Sequence, residues 1–193
     1  TVLLRHRGIA FAVACAASWF ALFAAISLWF MVDRSGTISY ALGSWPPPWG
    51  IEYRVDRLSA FMLVLVSGMS AIALPYTWQS ICDEIGRHQH YLFYTMFVLC
   101  LAGLLGITIT GDAFNVFVFL EISSLSTYVL IALGRDRRAL MAAYQYLIMG
   151  TIGATFIVIG IGLLYLMTGT LNLADMGRRI GAVQGSRPVL AAL

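Results

Sequence analysis

Glu121 is the residue whose surroundings most strongly indicate chemistry. It lies in the otherwise uncharged run 113–133, two residues from the midpoint of that run, which is about 3 Å along a helix axis. An ionised carboxylate facing lipid at that depth costs about 3 kcal/mol or more, so the side chain is expected to face the interior of a helical bundle. This position predicts a carboxyl that takes up and releases a proton within a membrane. A neutral acid that only hydrogen-bonds a neighbouring helix is the alternative interpretation.

Polar side chains on the same and the following apolar run extend this candidate site. Ser124 and Tyr128 follow Glu121 by three and seven residues, which places all three on one face of a helix. Tyr144 offers a further hydroxyl on the next run. Together they predict a polar lining for a proton path. Serine and threonine are also common at helix contacts in membranes, so a packing role stays open.

Five apolar runs provide the elements that would position these residues. The 193 residues are 60% hydrophobic and 11% charged, with a mean hydropathy of +0.84, which excludes an ordinary soluble domain. A membrane span needs about 20 apolar residues, and backbone in lipid must form its own hydrogen bonds. We therefore predict an all-α integral membrane protein with about five transmembrane helices in a single domain, at 8–32, 58–80, 91–110, 113–133 and 140–167.

The connections predict how these helices are arranged. Segment 33–57 contains three consecutive prolines between tryptophans, which indicates an ordered loop at the membrane interface. Only Thr110 to Asp112 separate the third and fourth runs, so those helices should be antiparallel neighbours with Asp112 as the N-cap of the fourth. The arginine cluster in 134–138 weakly favours a cytoplasmic location for that loop and for the amino terminus.

The two ends of the sequence predict that the chain is a piece of a longer protein. The chain begins at Thr1, and a further apolar stretch starts at 188. A signal peptide is the competing interpretation of the start, because basic residues precede an apolar run. That run is uncharged over 8–32, which is longer than the apolar region of a signal peptide and favours a span.

Several function classes find little support in the composition. All twelve cationic residues are arginines scattered between apolar runs, so a nucleic-acid interface is not indicated. His88 and His90 form an H-x-H, but no further metal ligand has a recognisable spacing, and a solvated loop is the simpler interpretation. We expect no metal and no cofactor. No nucleophile and base pair indicates an enzyme active within this chain.

The chain resembles a known family in several motifs that occur in order. These are LGSWPPPWGI at 42–51, DRLSA at 56–60, TGDAFNVFVFLE at 110–121, YVLI at 128–131 and GTLNL at 169–173. In this order and spacing they are similar to the D subunit of the Mrp-type multisubunit Na⁺/H⁺ antiporters. That superfamily also includes the antiporter-like, proton-pumping subunits of complex I and of membrane-bound hydrogenases.

The resemblance implies a larger helical bundle and a proton-carrying role for Glu121. The family fold has about fourteen helices in two inverted five-helix repeats, and this chain resembles helices two to six only. Glu121 matches the family's glutamate on its fifth helix, which pairs with a lysine on a broken seventh helix. The chain contains no lysine, so that partner is expected outside it. The implied partners are other membrane subunits, the lipid bilayer, protons and Na⁺, in the inner (plasma) membrane of the cell.

Three functions remain open from the sequence. The first is a proton-conducting subunit of a monovalent cation/proton antiporter, with protons carried by Glu121. The second is a proton-pumping subunit of a redox complex of the complex I or hydrogenase type. The third, from another class, is a truncated structural or assembly subunit without transport activity, which the missing lysine would favour.

Overall fold

The computed structural model of the protein describes residues 7–183 and 186–192. It is a helical bundle with one short hairpin. Five helices are long and apolar enough to cross a membrane, as predicted. The elements in chain order are α1 Arg7–Ser35, β1 Ile38–Ala41, β2 Glu52–Val55, α2 Arg57–Glu84, α3 His90–Ile109, α4 Ala113–Ala132, α5 Arg137–Thr168, α6 Leu173–Val183 and α7 Arg187–Ala192.

Side-chain caps begin the helices that follow tight connections. Asp56, Asp112 and Asp136 precede α2, α4 and α5, and each carboxylate accepts a hydrogen bond from a backbone N–H of the first turn. Such caps satisfy backbone donors that a helix leaves unpaired at its start. The N-cap role predicted for Asp112 is confirmed. At the other end of α5, Gly169 adopts a positive φ of 69°, a conformation that glycine adopts without steric cost.

Small residues let α1 and α2 approach each other closely. The buried positions of α1 follow one face at steps of four and seven: Ala10, Ala14, Ser18, Ala25 and Val32. Near the middle of the interface the hydroxyls of Ser18 and Ser70 form a buried hydrogen bond of 2.6 Å. Each polar group therefore has a partner where water is excluded.

Two apolar clusters form the core, one near each end of the bundle. The first surrounds Tyr94, which is fully buried on α3, and the second surrounds Val55 of the hairpin. Because the hairpin contributes to the second cluster, it is part of the packed structure. The buried members of the first cluster are Ala10, Ala14, Leu74, Ile81, Ile85, Tyr94 and Leu133, and those of the second are Ala25, Val32, Val55, Ala60 and Leu63.

At the end of the bundle that contains the α2–α3 and α4–α5 connections, the structure corrects the prediction that both histidines of the H-x-H are solvated. His88 is exposed, but His90 begins α3 with 1% of its surface exposed. The Nε2 atom of His90 lies 3.1 Å from the carbonyl oxygen of Ile85. The interpretation of the H-x-H as a solvated loop is therefore wrong for His90. The cause is that α1 and α2 pack over the start of α3 and exclude water.

The observed bounds differ from the sequence-based ones mainly at the connections. Segment 33–57 contains the antiparallel pair β1–β2, with Ile38 opposite Val55 and Ala41 opposite Glu52. Helix α5 begins at Arg137 rather than at 140, because Asp136 caps it. The stretch that starts at 188 lies in α7, a helix of six residues, and α7 packs against α5.

Candidate functional site

The helix that carries Glu121 is held against α3 by glycine contacts. A Cβ atom added to Gly103 would lie 2.8 Å from the backbone nitrogen of Ser123, and one added to Gly106 would overlap the ring of Phe119. The Thr127 hydroxyl lies 3.5 Å from the sulfur of Cys100. Phe119, Ser123 and Thr127 follow one another at steps of four residues, so one face of α4 is fixed against α3.

A different face of α4 contacts α5 through Tyr128. This side chain is 7% exposed, and its hydroxyl lies directly against Gly150, where a Cβ atom would overlap it. The ring of Tyr128 packs edge-on against Tyr146, with ring centroids 5.2 Å apart. Gly150 therefore has the packing role that small residues commonly have between membrane helices.

Glu121 lies on the face of α4 that Tyr128 defines. It precedes Tyr128 by seven residues, which is about two helical turns, so the two side chains project in nearly the same direction. Glu121 is half-buried. Within residues 7–183 and 186–192 its carboxyl group has neither a hydrogen-bond partner nor an ion-pair partner.

The neighbouring hydroxyls divide into two groups. Ser123, Ser126 and Thr127 donate to the backbone carbonyls of Leu120, Ile122 and Ser123 within α4. Their donors are therefore used locally, which supports a packing role. Ser124 is half-buried one turn after Glu121. Of the predicted path residues, Ser124 and Tyr128 share the face of Glu121.

Tyr144 lies at a different depth. It is 59% exposed near the beginning of α5 and lines a surface cavity with Arg137, Arg138, Leu140 and Met141. Helices α4 and α5 meet where Tyr128 contacts Gly150. Glu121 precedes Tyr128 by seven residues on α4, toward the hairpin end, and Tyr144 precedes Gly150 by six residues on α5, toward the α4–α5 connection. The two residues are therefore separated by about 20 Å along the bundle.

A second carboxylate, which sequence reasoning did not single out, lies at the hairpin end. Glu52 is only 9% exposed, and its oxygens accept hydrogen bonds from Ser39 at 2.5 Å and from Asn172 at 2.6 Å. Glu52 lines two surface cavities, of about 220 and 310 Å³. The alternation of apolar and polar residues in 51–55 indicates a strand, but it places Glu52 on the polar face, so no sequence signal indicated its burial.

The long helices and the position of Glu121 indicate the class of protein. Five helices that are long and apolar enough to cross a membrane, one of which carries a half-buried carboxyl in mid-span, are typical of a multi-pass membrane protein. A family model described as NADH:quinone oxidoreductase/Mrp antiporter transmembrane region matches residues 110–192. Over residues 110–192 the chain is therefore similar to this antiporter-like family.

Curated relatives come from both branches of that family. The chain is 44% identical over 169 residues to NADH-quinone oxidoreductase subunit N of Desulforudis audaxviator, covering 88% of the chain and 33% of the relative. It is 32% identical to the D subunit of a Na⁺/H⁺ antiporter of Alkalihalophilus pseudofirmus, covering 82% and 32%. The D subunit of a probable K⁺/H⁺ antiporter of Rhizobium meliloti is 37% identical, covering 77% and 27%. The chain thus spans about a third of the length of these relatives.

Solved structures support the same fold. A chain of the membrane-bound sulfane sulfur reductase, an archaeal respiratory membrane complex, superposes with a TM-score of 0.87 at 27% identity, covering 94% of this chain and 37% of that one. A chain of the Mrp complex from Dietzia superposes with a TM-score of 0.83 at 24% identity, covering 99% and 35%. Both are multisubunit membrane complexes.

Proposed function

We propose that this chain is a proton-conducting subunit, or a segment of one, in a multisubunit monovalent cation/proton antiporter of the plasma membrane. Glu121 is the proton carrier, and Ser124 and Tyr128 line the path beside it. The proposed partners are other membrane subunits, protons and Na⁺. Glu121 carries the proposal, because it is a half-buried carboxyl in mid-span without a partner in the described structure.

The surroundings of Glu121 support a role in transport rather than in helix packing. Packing of α4 already relies on Phe119 and Ser123 against α3 and on Tyr128 against α5. Glu121 adds no hydrogen bond to these contacts within the described residues. A carboxyl that is costly at this depth and unnecessary for packing is most simply explained by its chemistry.

The proposed mechanism needs a cationic group that changes the charge environment of Glu121. In the described chain the arginines lie near the ends of the five long helices, in connections, in the hairpin or in the short helices α6 and α7, for example Arg57 and Arg137 at the starts of α2 and α5. We place the cationic partner in a neighbouring segment that approaches α4 beside α5. This side has room, because only 6% of an 18-residue apolar stretch of α5 is buried.

Membership of a redox-driven complex is the second candidate function. The relative named as an NADH-quinone oxidoreductase subunit shares 44% identity with the chain, compared with 32% and 37% for the two antiporter subunits. The superposition on a chain of a respiratory complex points the same way. Proton carriage by Glu121 serves either function, since only the driving reaction differs. Purification from native membranes discriminates between them, because co-isolated flavin or iron–sulfur subunits would identify the redox complex.

The proton-carrier role is tested by two substitutions in the full-length subunit within its native complex. Glu121→Gln keeps the shape but cannot ionise, and we expect it to reduce proton transport in inverted vesicles about a hundredfold or more, as expected when a required proton-transfer group is removed. Glu121→Asp keeps a carboxyl and should retain a measurable fraction. Glu84→Gln is the matched control, because Glu84 is an exposed glutamate at the end of α2.

Two results would contradict this proposal. Normal transport by Glu121→Gln would show that the carboxyl carries no protons and would favour a structural subunit. Equal losses from Glu84→Gln would show that the defect comes from charge removal in general. The amount of assembled complex is measured for each variant, so that a transport defect is separated from a loss of protein.

A further inference from the structure

Glu52 joins three separate segments of the chain at one end of the bundle. Its Oε1 atom accepts a hydrogen bond from the Ser39 hydroxyl of β1, and its Oε2 atom accepts one from the Asn172 side-chain amide at 2.6 Å. Its backbone oxygen accepts a hydrogen bond of 2.8 Å from the nitrogen of Gly111 in the α3–α4 turn. We refer to Ser39, Glu52, Gly111 and Asn172 as the Glu52 junction.

The orientation of Asn172 in this junction is fixed by a second set of bonds. Its Oδ1 atom accepts from the backbone nitrogens of Ala174 and Asp175, both at 3.1 Å, and so caps α6. The side-chain NH₂ group must then point the other way, toward Glu52. An aspartate at 172 would still cap the helix, but it would have no proton to donate to Glu52.

The junction is directly linked to the start of α4. Gly111 donates to Glu52 and accepts from the nitrogen of Leu173 at 2.9 Å, while the nitrogen of Ala113 donates to Leu171 at 2.9 Å. Asp112 pairs with Asn172 in an isolated β-bridge. The first residue of α4 is therefore anchored to the α5–α6 connection. Glu121 follows the N-cap Asp112 by nine residues, about 14 Å along a rigid helix.

We propose that Glu52 and Asn172 form a positioning pair that sets the placement of α4 and thereby of Glu121. This inference rests on the proposed function of Glu121 as the proton carrier. In it Glu52 serves as a hydrogen-bond acceptor and carries no transported proton. Both of its oxygens are engaged by neutral donors, and its depth in the junction leaves it 9% exposed.

A double-mutant cycle in the full-length subunit within its complex tests the pair. Glu52→Gln should keep transport within about twofold of the wild type, because the Ser39 hydroxyl can turn to accept from the new amide while the amide oxygen accepts from Asn172. Asn172→Asp should reduce transport about tenfold or more, because two acceptors then face each other without a proton between them. The double variant should return to within about threefold of the wild type, because the glutamine amide can donate to the new aspartate.

Two readouts make the outcome decisive. Transport in vesicles is measured together with the thermal midpoint of the purified complex, and Glu84→Gln is the control at the opposite end. Restoration by the double variant in both readouts supports the pair. Loss of transport in Glu52→Gln, or no restoration in the double variant, would overturn it. If Glu121→Gln transports normally, the proposed function fails, but the thermal midpoints still decide whether Glu52 and Asn172 form the pair.

Discussion

Glu52 and Glu121 are two carboxyl groups of the same chain in opposite situations. Glu52 is buried at the end of the bundle, where both of its oxygens accept hydrogen bonds. Glu121 lies in the middle of an apolar helix, half-buried, with no such partner in the described residues. Glu52 thus joins β1 to the α5–α6 connection through its side chain, whereas the Glu121 side chain makes no such link in the described residues.

The difference shows how the surroundings of a glutamate determine its role. Buried carboxylates with satisfied hydrogen bonds stabilise one arrangement of the chain, and leaving such a group unsatisfied costs about 1–3 kcal/mol or more. A carboxyl without partners contributes little to that arrangement and can change its charge. The following predictions test this contrast, beginning with the largest expected effect.

The contact of α4 with α3 should be as necessary for the placement of Glu121 as the Glu52 junction. In Gly103→Ala the new methyl group would lie 2.8 Å from the backbone nitrogen of Ser123, and backbone cannot move aside as a side-chain end can. Overpacking of this kind costs about 1–3 kcal/mol. We expect about a tenfold loss of transport and a lower thermal midpoint of the complex, consistent with the factor of ten that about 1.4 kcal/mol represents.

Gly153→Ala is the matched control for that substitution. It makes the same chemical change on α5, where no atom lies within 4 Å of the added Cβ position. It should leave transport and stability close to the wild type. If Gly103→Ala behaves like Gly153→Ala, close contact at Gly103 does not position α4.

Proton transport along the side of α4 that carries Glu121 should depend on the hydroxyl of Tyr128. Tyr128→Phe keeps the ring contact with Tyr146 but removes the hydroxyl that lies against Gly150. We expect transport to fall about threefold, equivalent to the roughly 0.6 kcal/mol at the low end of what the removal of one packed group costs. The measurement is the transport rate in vesicles with Tyr146→Phe as the control. An equal loss of transport in the control would show that the hydroxyl of Tyr128 has no specific role in transport.

Asp56 is a third carboxylate, and it lies outside the membrane spans. Its substitution has the smallest expected effect of these predictions. The hydrogen bond from the backbone nitrogen of Ser59 holds the pKa of Asp56 below its usual value. A group whose pKa is lower in the folded state contributes stability above its unfolded pKa of about 3.9 and loses that contribution as the pH falls through the folded value.

Asp56→Asn should therefore reduce the acid sensitivity of the protein. Asparagine caps a helix about as well as aspartate but does not titrate. The thermal midpoint should change little at pH 7, and it should fall less than that of the wild type between about pH 5 and pH 3, the range in which such a carboxylate is protonated. Asp33→Asn, at an exposed carboxylate near the end of α1, is the control. Identical acid sensitivity of Asp56→Asn and the wild type would contradict the prediction.

Hydropathy predicted the helices because a membrane span is a property of one continuous segment. The run 113–133 and the capping residue Asp112 were sufficient to define α4, and the short turn before it made α3 its neighbour. Mid-span Glu121 was found in the same way. Each of these inferences uses residues that are close together in the sequence.

The Glu52 junction and the burial of His90 depend on contacts between distant segments. Glu52 and Asn172 are 120 residues apart, and neither type of residue is unusual in a connection. His90 is buried because other helices cover the start of α3. The local alternation in 51–55 could have indicated a strand, but the three prolines before it led to the prediction of an ordered loop at the membrane interface.

Carbodiimide labelling of the native complex tests the contrast between the two glutamates most directly. Hydrophobic carbodiimides react with protonated carboxyl groups in apolar surroundings. We predict, by mapping of labelled peptides, that Glu121 is modified in parallel with the loss of proton transport while Glu52 stays unmodified. Full modification of Glu121 with normal transport, or inhibition that follows modification of Glu52 instead, would contradict the assignment of Glu121 as the proton carrier.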